Sequence, residues 1–264
     1  YSECDHVVAV SQGVKDGLVS EFGIPASKIT VIHNPVPVSR IRMVAPADTE
    51  QRFILSAGRL HSQKRQDHLI RAFAAIANEV EVHLWLAGDG GQLDALQQLA
   101  RELGVFDRIR FLGGRSDLWS LMKSAECFVL TSRYEGFGMV LTEAMAAGCP
   151  VVSYDVDYGP REFINDGING RLVRDGDVAA LSAALLQQLS PEANHESMVA
   201  NAVKDIMQFD IPLVASEYVK LIDRNASQIT RDAIHDSAGE RLTVQQRELV
   251  SRSPLTHNAV TREI

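Results

Sequence analysis

Residues 127–143 read Cys-Phe-Val-Leu-Thr-Ser-Arg-Tyr-Glu-Gly-Phe-Gly-Met-Val-Leu-Thr-Glu, and their reading decides the fold. An apolar run, Cys127 to Leu130, has the look of a buried strand. A glycine loop with Gly136, Phe137 and Gly138 follows, and a small-residue helix runs on through Ala147. Glu135 stands in the loop and Glu143, eight positions later, stands one turn into the helix. Glycines let a backbone approach a ligand closely. The free N–H groups at a helix start favour phosphate. A helix-borne carboxylate can accept hydrogen bonds from two sugar hydroxyls. Together these features suit a ligand that carries both phosphate and sugar. A Gly-x-Gly before a helix also occurs in many unrelated α/β proteins, so the rest of the chain has to weigh in.

Working outward, strand and helix patterns alternate. Strands are expected at 6–10, 29–33, 52–57, 82–87, 109–112, 127–130, 151–153 and 170–173. Helices are expected at 12–22, 66–77, 91–103, 118–123, 137–147, 177–189, 194–207 and 212–224. The strands are short, β-branched and apolar on both faces, the mark of a parallel sheet covered by helices. Units of this kind predict an α/β fold with a doubly wound parallel sheet. Such sheets bind ligands beyond the carboxyl ends of their strands. The loops 58–65, 88–91, 113–117, 131–138 and 154–160 all follow strands and should gather at that edge.

Residues 34–51 hold Pro35, Pro37 and Pro46 with little periodicity and read as an extended linker. From Asn225 the chain contains no aromatic residue and many polar ones. Residues 225–264 therefore read as a polar tail, mobile or only loosely attached, in which 243–251 could form a helix. The chain starts on Tyr1 and enters a strand at once, which gives the expectation that it begins inside a larger protein.

Composition sets the bounds. The 264 residues are 45% hydrophobic and 23% charged, ordinary for a globular protein. A net charge of −8 argues against a general nucleic-acid binder. Cys4, Cys127 and Cys149 form neither a CxxC pair nor a disulfide framework, which fits a reducing, cytoplasmic compartment. No apolar run has the length needed to span a bilayer, and no basic amphipathic helix marks a membrane surface.

The loop after the strand at 52–57 reads Gly58-Arg59-Leu60-His61-Ser62-Gln63-Lys64. Arg59 and Lys64, two cations at the carboxyl edge of a sheet just before a helix, would hold a diphosphate. The plain alternative is a solvated basic loop. The next loop, Gly88-Asp89-Gly90-Gly91, is either a weak glycine-loop signal or a tight turn with Asp89 near the helix start. Asp155-Val156-Asp157 has the spacing of a metal motif, but short Asp-x-Asp runs are common by chance. His33, His68 and His83 read as packed or exposed residues, and His61 as a solvent-exposed turn residue, with approach to a ligand at that loop as the alternative. No His/Cys spacing suggests zinc.

Several segments, taken in order, resemble the motifs of the family 4 glycosyltransferases. They are Val31-Ile32-His33-Asn34-Pro35, Gly58-Arg59-Leu60 with Lys64, Leu86-Ala87-Gly88-Asp89-Gly90, Arg110-Phe111-Leu112-Gly113, Glu135-Gly136-Phe137-Gly138 through Glu143-Ala144-Met145-Ala146, Gly148-Cys149-Pro150-Val151-Val152, and Gly167 through Val173. The resemblance covers roughly residues 1–224 and implies the GT-B fold, whose second domain is Rossmann-like. By it, residues 1–33 would close an N-terminal domain that is otherwise missing. Residues 34–51 would be the linker, 52–224 the donor-binding domain, and 225–264 match nothing in the family.

The resemblance also implies roles. Arg59 and Lys64 match the pair that neutralises the donor diphosphate, Glu135 the acid at the donor sugar, and Glu143 the acid on the ribose. Gly58 and the residues Gly136, Phe137, Gly138, Met139 and Val140 would line the donor, and Arg115 with Gly113 would flank the base. The implied reaction retains anomeric configuration and needs neither metal nor cofactor. The donor would be a UDP-sugar, with a GDP-sugar as rival, and the acceptor a glycan or lipid-linked glycan of bacterial surface polysaccharide or lipopolysaccharide. Peripheral association with the inner face of the membrane stays open. The loop Gly159-Pro160-Arg161-Glu162 resembles a subset of these enzymes, and Glu162 would either cap its own helix or touch the sugar. Two other readings remain: a nucleotide-binding module or inactive fragment of the same fold without transfer chemistry, and a sugar-nucleotide epimerase, against which the paired glutamates and Gly-Phe-Gly argue.

Overall fold

The computed structural model describes residues 4–191, 193 and 195–237. A small parallel pair comes first: β1 (Val7–Ala9), α1 (Gln12–Ser20) and β2 (Ile29–Val31). Val7, Ala9, Ile24 and Ile29 form a core of their own there, with Val14 and Leu18 against it. The chain then makes α2 (Val38–Met43), β3 (Phe53–Ala57), α3 (Gln66–Ile76), β4 (His83–Ala87), α4 (Leu93–Glu102), β5 (Ile109–Gly113) and α5 (Leu118–Ser124). It continues through β6 (Cys127–Leu130), α6 (Met139–Ala147), β7 (Val151–Asp155), α7 (Pro160–Phe163), β8 (Arg171–Arg174), α8 (Val178–Leu189), α9 (His195–Ile206) and α10 (Ile211–Ser237).

Strands β3 to β8 form one parallel sheet in the order β5-β4-β3-β6-β7-β8. Register is set by pairs such as Leu55 with Trp85 and with Phe128, and Val129 with Val152. β3 and β6 are buried along their whole length, so alternate residues feed opposite faces. Ile54, Leu84, Val129, Val152 and Tyr154 pack on one face with Leu69 and Phe73 of α3 and Leu181 and Leu185 of α8. Phe53, Leu55, Trp85, Phe128 and Val151 pack on the other with Leu141 and Met145 of α6 and Ile206 of α9. The doubly wound α/β expectation holds. Strand order reverses between β3 and β6, so a crevice opens at their carboxyl ends.

Residues 34–51 are not simply an extended linker. Val36, Val38 and Ile41 are fully buried, and α2 packs on α6. Val36 N–H donates to the Phe209 carbonyl at 2.8 Å, and the Ser39 hydroxyl donates to Asp210 Oδ2 at 2.6 Å. Three apolar side chains in six positions outweigh the proline punctuation, and Pro37 only starts the helix.

Contacts divide the chain into residues 1–215 and 216–264. The first unit holds every strand, and its contacts draw no line at residue 33 or at residue 52. In the second, α10 runs past Arg224 to Ser237 and exposes Val219 and Ile222. Helix α10 thus continues through Asn225 to Ser237, inside the segment read as a polar tail. The expected helix at 243–251 lies outside the described residues.

Candidate active site

The loop between β3 and α3 is built to carry Lys64. Leu60 is buried and anchors it, and a short 3-10 turn spans Ser62–Lys64. His61 Nδ1 accepts from the Gln63 N–H at 3.2 Å, so His61 is a turn residue. Arg65 then takes a left-handed conformation, φ 48°, which turns the chain into α3. The aliphatic stem of Lys64 lies over Gly58. Gly88 and Gly90 lie directly beneath, where a Cβ would overlap the carbonyls of Gly58 and Leu60. The Gly88–Gly91 turn is therefore a close-packing device. Its backbone receives the neighbouring loop through Gly58 N–H to Ala87 O and Leu60 N–H to Asp89 O, each 2.9 Å.

The loop after β6 is stitched to it. The Thr131 hydroxyl donates toward the carbonyls of Lys64 and Arg65 at 2.8 and 3.0 Å. Arg133 N–H donates to Gln63 O at 2.8 Å, and Gln63 Nε2 to Tyr134 O at 2.9 Å. These bonds bring Lys64 Nζ to 2.6 Å from Glu135 Oε1, with the side chains only 17% and 11% exposed. Arg59 is exposed, and its side chain has no ion pair among the described residues.

The expected helix start at Phe137 moves to Met139. Gly138 precedes it at φ 89°, and no side chain caps the first turn. The N–H groups of Met139 and Val140 thus face the crevice end of the helix without the usual capping oxygen. Phe137 turns its ring into the core, 4.6 Å from the Phe163 ring and 5.8 Å from His33. Gly136 is exposed beside Val10.

Glu143 is half-buried on α6, beside the indole of Trp119 on α5. Burial pushes its carboxyl above the ordinary value, and the indole N–H partly opposes that shift. Trp119 carried no signal in the sequence beyond its place on an amphipathic helix. Arg115 follows β5, two strands from β3. It is exposed and holds Asp117 through Nε at 2.8 Å and Nη2 at 2.6 Å, and no contact joins it to Lys64 or Glu135.

Asp155 and Asp157 both face Arg161, at 2.9 and 3.5 Å. Glu162 caps not its own helix but α1, accepting from the Gln12 and Gly13 N–H groups at 2.8 and 2.9 Å. His33 sits among the Phe137, Phe163 and Phe209 rings, with Nε2 3.7 Å from Glu162.

A cavity of 730 Å³ lies elsewhere, at the amino ends of the strands between Arg52, Glu79, Glu126 and His195. One of 370 Å³ lies beside Trp85, Arg110 and Arg115. Neither is lined by Lys64 or Glu135, so the loops and not the cavities define the site. Among the described residues, no helix is long and apolar enough to cross a membrane.

A six-stranded doubly wound sheet carries a cation–carboxylate pair and an open helix start at its switch point, the place where α/β sheets of this class bind ligands. The chain belongs to the glycosyl transferases group 1 family, whose model matches residues 38–205, and a glycosyltransferase family 4 model matches residues 1–40. The lipopolysaccharide 1,6-galactosyltransferase of Salmonella typhimurium is 32% identical over 206 residues, 74% of this chain and 56% of that protein. The lipopolysaccharide core biosynthesis glycosyltransferase LpsE of Rhizobium meliloti is 32% identical, with 84% and 65% covered. The chain thus spans little more than half the length of the first of these relatives. Among solved structures, the lipopolysaccharide outer core galactosyltransferase WaaB in its apo form matches with TM-score 0.70 and 29% identity over 85% of this chain and 63% of that one. Anabaena Alr3699/HepE, solved in complex with UDP, matches with TM-score 0.77 and 26% identity over 84% and 64%.

Proposed function

We propose that the crevice at the ends of β3 and β6 holds the diphosphate and sugar of a nucleotide-sugar donor, for a retaining transfer to a glycan or lipid-linked acceptor of bacterial surface polysaccharide. The observation that carries this reading is the shielded Lys64–Glu135 pair beside the uncapped start of α6. Lys64 sits where a diphosphate oxygen and Glu135 can share it. Arg59 supplies a second cation, and the Met139 and Val140 N–H groups supply donors aligned with the helix dipole. When the anomeric C–O bond breaks, its electron pair moves to the diphosphate, and these groups hold the charge that develops there. Glu135 takes hydroxyls of the sugar and Glu143 those of the ribose. The donor group is sufficient without a metal ion in this reading.

UDP is the favoured carrier and GDP its rival. The HepE relative was solved with UDP, which supports the choice. Calorimetric titration of the chain and of Arg59→Ala with UDP and GDP, with no metal added, tests the reading. We expect UDP binding that weakens about tenfold in the variant, the worth of one charge-assisted bond. Equal UDP binding by both proteins removes Arg59 from the diphosphate site, and tighter binding of GDP reverses the choice of carrier.

A further inference from the structure

The turn between β7 and α7 joins two parts of the molecule that the donor site needs in register. On one side it meets α1. Gly13 and Gly17 lie four positions apart on one helix face. A Cβ at Gly13 would overlap the Tyr158 ring, and one at Gly17 would come within 2.9 Å of the Tyr158 hydroxyl. Glu162 closes the same contact by taking the Gln12 and Gly13 N–H groups, one on each carboxylate oxygen. Charge-assisted bonds of this kind at a helix start are among the stronger ones available. On the other side the turn meets the donor loop. Gly159 has φ 84°, and a Cβ there would stand 2.7 Å from the Phe137 carbonyl and 3.2 Å from Glu135 Cβ. The donor loop also touches the α1 entry directly, Gly136 against Val10.

We propose that Glu162 is a positioning residue that, by gripping the N-terminus of α1, clamps the Tyr158–Pro160 turn against the backbone of Glu135–Phe137 and so sets the sugar end of the donor site. The proposal rests on the donor-site reading above and adds a specific coupling to it. The diphosphate end hangs on other supports, the 58–65 loop and its bonds to Thr131 and Arg133. Releasing Glu162 therefore loosens Glu135 toward a sugar while leaving the phosphate cradle in place. A plain helix cap would instead cost stability and nothing selective.

The test compares the wild-type chain with Glu162→Gln and, from the opposite side of the contact, Gly13→Ala. UDP, UDP-glucose and UDP-galactose are titrated, and amide hydrogen exchange is followed without ligand. UDP affinity falls less than UDP-sugar affinity and stays within about threefold, because the Lys64 loop keeps its own bonds to Thr131 and Arg133. Any UDP-sugar that binds the wild type more tightly than UDP loses that increment, a change of about tenfold for one charge-assisted bond. Exchange rises both at 11–14 and at 135–138, where the Gly159 turn touches the donor loop, and not at 131–133. Equal weakening of UDP and UDP-sugars, or faster exchange confined to α1, overturns the proposal. If the wild type binds no nucleotide, the donor-site reading has failed, and the exchange pattern alone decides whether Glu162 holds the loop.

Discussion

Lys64 Nζ and Glu135 Oε1, seventy-one positions apart in the chain, meet at 2.6 Å at the point where the sheet reverses its order. Each partner is largely shielded, so each charge depends on the other until a ligand arrives. On the proposed reading a diphosphate would compete with Glu135 for the same ammonium. Glu135→Gln should therefore bind UDP at least as tightly as the wild type, because Lys64 no longer has a carboxylate to leave. The same variant should lose the extra affinity for a UDP-sugar. Lys64→Ala should cost more in stability than Glu135→Gln, since it strands a shielded carboxylate, a loss of about 3–5 kcal/mol when a fully buried pair is broken and less here. Titration with UDP and thermal melts of both variants check the order. A Glu135→Gln protein with weakened UDP binding would show that the carboxylate orients Lys64 and does not compete with phosphate.

Glu143 makes a pH argument. Its folded carboxyl lies above the ordinary 4.5, chiefly through burial. A raised folded value means the native state holds the proton more firmly than the unfolded chain. The associated stability is present below the unfolded value and is lost as pH rises through the folded one. Glu143→Gln keeps an acceptor for Trp119 but cannot ionise. Its melting temperature should exceed that of the wild type at neutral pH, with the advantage fading in acid. UDP binding should weaken about tenfold if the carboxylate takes ribose hydroxyls. Melts from acid to neutral pH and one titration decide both points; parallel stability curves would mean that Glu143 titrates as it does in the unfolded chain.

The alternation of apolar β-branched strands and helices was enough to read the sheet, because each strand buried on both faces repeats one composition. Cys127–Leu130 falls on the expected residues, and Ile109 and Val151 start their strands as expected. The candidate site was legible as residue types, Lys64 and Glu135 on loops and Glu143 on a helix. Their pairing was not, since a Lys64–Glu135 contact depends on loop stitching by Thr131 and Gln63. The grip of Glu162 on α1 was illegible for a different reason. The carboxylate's partners are backbone N–H groups 149 and 150 positions away, which leave no mark on composition. The helix α2 was hidden by Pro35 and Pro37, and the continuation of α10 past Arg224 by its polar sequence.

The glycines under the diphosphate loop separate packing from chemistry. Gly88 has φ 133°, and a Cβ there would overlap the Gly58 carbonyl. Gly88→Ala should push the 58–60 backbone away from β4 at a cost of about 1–3 kcal/mol. It should also weaken UDP binding although residue 88 supplies no side chain to the ligand. By contrast Gly91 has nothing within 4 Å of its Cβ position. Gly91→Ala should leave both properties near wild type, so denaturant titration and UDP calorimetry of the two variants form an internal control. Matching losses at both positions would point to a general need for loop flexibility instead of close backbone approach.

Ile41 tests whether the segment between the two sheets is structural. Its side chain is fully buried in the core that α2 shares with α6, the helix that carries Glu143. A loose linker would tolerate Ile41→Ala with a change within about 0.5 kcal/mol, as exposed positions do. A packed α2 predicts a loss of about 2–5 kcal/mol from the missing methyl groups and the cavity left behind. The neighbouring Met43 is 80% exposed and gives the matched control, since Met43→Ala should sit in the smaller range. Because α6 also presents its open first turn to the crevice, an Ile41→Ala protein that still folds should bind UDP with reduced affinity. Urea unfolding of the two variants, followed by UDP titration of whichever remains folded, distinguishes a helix that supports the site from a connector that only spans it.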